Sequence, residues 1–93
     1  MKFRKSKRFQ RSFDQLPAGI REKARKAFTQ FKQQPRPPFY PSLVIKKIQG
    51  SINIWEGRID SFYRFTFEIL IENGETIYCF RNIGPHDITS DTP

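Results

Sequence analysis

The chain has 93 residues, with 17 Lys and Arg against 9 Asp and Glu and a formal net charge of +8. That length suits one modest core and leaves no room for a second, so residues 1–93 are expected to form a single domain. A lone cysteine, Cys79, excludes an internal disulfide and a thiolate metal cluster.

Residues 1–32 hold eleven basic residues and only two acids, Asp14 and Glu22, while residues 33–93 hold six basic residues against seven acids. The excess charge therefore sits in the first third, where a polyanion or an acidic protein is the natural complement. The plainer reading of that segment is a solvated helical surface. No apolar run approaches ~18 residues, so no membrane span is expected. The basic start is not followed by an apolar stretch of signal-peptide type, and the cytoplasm is the default location.

In chain order, Met1–Arg4 is a possible short first strand. Ser6 is a plausible N-cap, and Phe9, Phe13 and Leu16 recur at helical spacing, which predicts a helix of about three turns ended by Pro17. Pro17 can also open a second helix, with Ile20, Ala24, Ala27, Phe28 and Phe31 on its apolar face. Such a helical hairpin needs a sheet to cover its apolar side.

Pro35–Pro41, with four prolines in seven residues, is expected to be an extended connector rather than a helix or central strand. A ligand for proline-recognition domains is the less economical reading of it. Strands are expected over Leu43–Ile48, Ile52–Asp60, Phe62–Ile71 and Thr76–Ile83. In the third, Tyr63, Phe65, Phe67, Ile69 and Ile71 alternate with Phe62, Arg64, Thr66, Glu68 and Leu70, so Arg64 points away from the helices. Asn73-Gly74 predicts a type I′ hairpin turn. The last strand has apolar residues on both parities, which leaves the direction of Arg81 open. Gly84-Pro85 places His86 and Asp87 in the loop beyond it, and 88–93 is too short and polar to fold by itself.

The inventory does not favour a metal site, a nucleophilic triad or a Gly-rich phosphate loop, and no cofactor is expected. What remains suits phosphodiester chemistry on RNA. Arg64 and Arg58 can hold phosphate oxygens in their planar forks, and His86, with a pKa near neutrality, can move protons, with Asp87 beside it. Lys46, Lys47 and Arg81 can add phosphate contacts, and Trp55 or Tyr63 can stack on a base. Each has a duller role: His86 as a structural hydrogen-bonder, Arg64 as a cross-strand ion-pair residue, Trp55 and Tyr63 as core.

The succession PSLVIKKIQG, IWEGRI, FYRFTFEI and YCFRNIGPHD, behind a helical pair with a Leu-Pro break, resembles the RelE/ParE toxin superfamily. The resemblance spans essentially the whole chain and rests on order and spacing. It implies an α/β (α+β) fold of RelE type, two N-terminal helices packed on a mainly antiparallel four-stranded sheet. It also implies the toxin of a type II toxin–antitoxin system, an endoribonuclease that cuts mRNA in the ribosome without a metal and is silenced by an antitoxin protein.

On that resemblance, Arg64 matches the arginine that stabilises the scissile phosphate, and His86 matches a histidine used in proton transfer. Lys46 and Arg58 fall near positions where the histidine-dependent branch carries further histidines. The tail DITSDTP departs from members that place a Tyr or Phe shortly after the position of His86. The same fold also serves ParE-like inhibitors of DNA gyrase, which are not nucleases. The alternatives are therefore a gyrase inhibitor or an inactive relative that only binds antitoxin or RNA.

Overall fold

A computed structural model describes all 93 residues, Met1–Pro93. The chain opens on strand β1 (Lys2–Lys5) and turns into helix α1 (Lys7–Asp14). The Ser6 Oγ accepts the Phe9 amide at 3.0 Å, the N-cap expected from its side chain. Pro17 separates α1 from helix α2 (Ala18–Gln33), standing one residue before its first turn rather than within it. The proline-rich connector contains no helix or strand until a single 3-10 turn at Pro41–Leu43.

The sheet follows: β2 (Lys46–Lys47), β3 (Ile54–Arg58), β4 (Tyr63–Glu72) and β5 (Glu75–Pro85), with a final turn of helix α3 (Ile88–Asp91). Its order is β1-β5-β4-β3-β2, antiparallel except for β1, which lies parallel to β5. The architecture is the expected α+β one, with two corrections. The sheet has five strands, because Met1–Arg4 does pair, and 88–93 folds against the sheet as a third helix. The expected strand at Leu43–Ile48 shrinks to two residues, because Leu43 is spent in the 3-10 turn.

Both long helices cover one face of the sheet. Phe31 has no exposed surface, and its ring meets those of Phe67, Tyr78 and Phe80 edge-on at 5.1, 5.0 and 5.8 Å. Aromatic pairs of this geometry contribute about 0.5–1.5 kcal/mol beyond the area they bury, which suits a core with so few residues. Gly57 lies opposite Phe65 in the register. A Cβ there would sit 2.3 Å from Phe65 Cζ, so glycine is what lets that ring lie across β3.

Asn73 and Gly74 have φ of 51° and 77° and close the β4–β5 hairpin as the sequence predicts. The parity of β5 is settled by a bulge. Phe67 pairs with Phe80 but Thr66 pairs with Asn82, which leaves Arg81 as an extra residue. Phe80 and Ile83 therefore both face the helices although they are three apart. The Arg81 carbonyl, freed from the ladder, accepts the Ser6 hydroxyl at 3.1 Å and Arg8 Nε at 3.3 Å.

Candidate active site

Strand register builds the site on the face the two long helices leave free. Arg58 of β3 and Arg64 of β4 are direct cross-strand partners, and Gly84 of β5 is the partner of Arg64 on its other side. Like charges placed opposite each other on one face destabilise a sheet. Here neither arginine has a carboxylate within ion-pairing distance. The acids on this face are taken elsewhere: Glu56 by Lys46 at 3.9 Å and Glu68 by Arg81 at 3.3 Å.

The turn between β3 and β4 is held rigidly. One Asp60 carboxylate oxygen accepts the Phe62 and Tyr63 amides at 2.9 and 2.7 Å. Burial alone pushes this carboxyl up. The Tyr63 and Phe62 amides and the Lys23 ammonium, 3.4 Å away, outweigh that and hold it below its usual range. One amino nitrogen of Arg64 donates to the Asp60 and Tyr63 carbonyls at 2.9 and 3.1 Å. The rest of its fork has no protein partner.

His86 lies two residues past Gly84 and is exposed. Its ring meets Phe62 edge-on, with centroids 5.0 Å apart and planes at 84°. The His86 carbonyl accepts the Thr89 hydroxyl at 2.9 Å, which fixes the backbone and leaves the imidazole free. Asp87 stands at the head of α3, where its side chain makes no capping bond, and it makes no hydrogen bond to the imidazole. Phe62, Arg64 and His86 thus meet at one corner of the sheet, and Arg58, the register partner of Arg64, lines the neighbouring cleft with Lys23, Lys26 and Asp60.

The expected RNA-contacting residues divide. Lys46 and Lys47 line a cleft of about 670 Å³ between the β2–β3 loop and the 88–93 segment, floored in part by Glu56. Arg81 is half-buried and already engaged by Glu68 and, through Nε at 3.3 Å, by the Pro93 carbonyl. Trp55 pairs with Phe67 and packs against the core on the helix side, as does Tyr63. The Tyr63 ring also meets Phe62 edge-on, with centroids 5.2 Å apart.

Sequence reasoning missed the cover over the rest of that face. Thr66 points to the open side yet is wholly buried, and Asn82 beside it is 6% exposed. Residues 88–93 lie on them: the Thr66 hydroxyl donates to the Pro93 carbonyl at 2.6 Å and the Asn82 amide to the Thr92 carbonyl at 2.8 Å. Gly84 makes room for Ile88, whose Cγ2 would be 3.0 Å from a Cβ at that position. A glycine and two small polar residues at successive outward positions were the available signal.

No protein-family model and no curated protein matches the sequence. Solved structures do match its fold. YafQ from E. coli superposes with a TM-score of 0.72 at 12% identity, covering 95% of this chain and 96% of that one. The RelB–RelE antitoxin–toxin complex from Methanococcus jannaschii gives 0.68 at 21% identity, over 97% and 98% of the two chains. A YoeB/ParE toxin from Agrobacterium tumefaciens gives 0.70 at 18% identity, over 92% and 99%. The chain has the fold of the RelE/ParE toxins.

Proposed function

We propose that this chain is the toxin of a type II toxin–antitoxin pair and a metal-independent endoribonuclease that cuts mRNA on the ribosome, so stopping translation. The observation that carries the reading is that Arg58 and Arg64 stand at paired positions of β3 and β4 and neither is ion-paired to a carboxylate. A scissile phosphate supplies the missing anion, and as negative charge builds on its oxygens an arginine fork holds it more tightly.

His86 supplies the proton transfer. In the cut itself the 2′-oxygen loses its proton and bonds to phosphorus, and the bond from phosphorus to the 5′-oxygen breaks as that oxygen gains a proton. His86 serves one of these transfers. Asp87 acts as a nearby carboxylate, and Lys46 and Lys47 add phosphate contacts, with Arg81 available once its Glu68 pair is exchanged for phosphate. The partner that silences the chain is a cognate antitoxin protein: the fold's matches include toxin–antitoxin complexes, among them RelB with RelE and DinJ with YafQ.

The test is expression of the wild type, Arg64→Ala and His86→Ala, with growth and mRNA ends recorded. Growth arrest with new mRNA ends is expected for the wild type. Cleavage is expected to fall at least about 100-fold in each variant, the scale of losing one transition-state donor. Arrest that survives both substitutions and comes with a DNA supercoiling defect would instead assign the chain to gyrase inhibition. An absence of arrest in the wild type would make it an inactive relative.

A further inference from the structure

Phe62 is the large apolar residue that the site leaves in water. It is 47% exposed, although the core holds almost every other phenylalanine of the chain. Its place is not slack. The Asp60 carboxylate holds its amide and the next one, Arg64 grips the Asp60 carbonyl from the other side, and Lys23 holds Asp60 in turn. The ring is therefore presented by a wired turn, two residues before one phosphate-binding arginine and edge-on to His86.

An exposed aromatic face beside an unpaired cation cluster matches the two halves of a nucleotide, base and phosphate. Aromatic stacking serves any base, because every base has a π face. Of the two rings that the sequence offered for this task, Trp55 packs against the core, and Tyr63, also packed there, meets Phe62 edge-on at 5.2 Å. We infer that Phe62 is the base platform of the site: it stacks on the nucleobase next to the phosphate held by Arg58 and Arg64, and so positions that phosphate at His86. The inference rests on the RNA reading of the site but not on cleavage.

The test compares affinities for a short single-stranded RNA, protected from cutting by 2′-O-methyl groups, and for an abasic oligomer of the same length. The chains are the wild type, Phe62→Ala, Phe62→Leu and Phe62→Trp. Base stacking predicts that the wild type prefers the base-bearing oligomer. Alanine and leucine should each weaken that binding by about 5- to 100-fold and leave the abasic oligomer unchanged, and tryptophan should restore or tighten it.

Leucine separates stacking from mere apolar cover of His86, since it keeps the cover and lacks the π face. Equal losses on both oligomers, retention by leucine, or no preference for bases in the wild type would overturn the inference. If the base-dependent losses appear while no RNA is cut in cells, the platform stands and the nuclease reading falls.

Discussion

Thr66 shows how a single hydroxyl can decide what covers a sheet. It is fully buried on a face that strand parity turns to solvent, because its hydroxyl holds the Pro93 carbonyl. Thr66→Val keeps the shape and removes the donor. The carbonyl then keeps only its 3.3 Å contact from Arg81. A loss of about 0.5–1.5 kcal/mol is expected in chemical denaturation, the scale of one hydrogen bond removed from an acceptor that keeps another. Faster amide exchange at residues 89–92 should accompany it.

At this scale the sequence was informative where one residue type carries one conformation or one direction. Ser6 as a cap, Asn73-Gly74 as a turn and Arg64 as an outward charge all emerge from local rules. The cover on Thr66 does not, since it depends on a segment more than twenty positions away whose own composition has no fold signal.

Among the elements, β1 is the one that local pattern could not secure. Four residues with a single apolar side chain, Phe3, have no periodicity of their own. What fixes the strand is partner-dependent: the ladder to β5, the stacking of Phe3 on Tyr78 at 5.6 Å, and a two-pronged bond from Arg4 to Glu72 at 3.0 Å on each prong. The Arg4 hydrogen bond and charge hold the Glu72 carboxyl below its usual range.

A carboxyl whose folded pKa is depressed adds stability that is fully present above its unfolded value, about 4.3, and is lost as pH falls through the lower folded value. Acidification below about pH 4 should therefore fray β1 first. Amide exchange in β1 should rise there while the centre of β4 stays protected, and Arg4→Gln should weaken that pH response, leaving the part carried by Glu75, whose carboxyl the Met1 ammonium and Lys2 also hold down. β5 was hidden for a different reason. Its bulge breaks the period of two, so residues on both parities are apolar and no single alternation fits them.

Across the whole molecule, charge is unevenly spread. The +9 of the first third lies mostly on α1 and α2, where Lys23 and Lys26 share a cleft with Arg58 and Asp60 while α1 lies apart from it. Lys7, Arg11 and Lys32 are exposed away from that cleft and make no ion pair. On the RNA reading proposed above, the open face would take the substrate strand and the helices the ribosome's phosphates. Replacing those three residues with Gln should flatten the dependence of ribosome affinity on salt by roughly two to three in log–log slope. Affinity for a short single-stranded RNA should hardly change. A matching fall in both affinities would place one nucleic acid across both faces. The charge asymmetry was plain from the sequence, but its placement relative to the site needed the fold, which brings Lys23 and Lys26 beside Arg58.

The bulge at Arg81 has a mechanical consequence. Between the hairpin turn and Phe67–Phe80 the strands keep one register, and from Thr66–Asn82 onward they keep another. The tip is indexed by Asn73-Gly74, whereas the end that carries Arg64, Gly84 and His86 is indexed by the bulge. Were the first register to continue, His86 would slide by one residue, roughly 3.4 Å, along Arg64, and Gly84 would no longer lie beneath Ile88. The bulge thus works as a slip coupling. Changes in the length or twist of the exposed tip can be absorbed there, and the spacing between the arginine and the histidine is left intact.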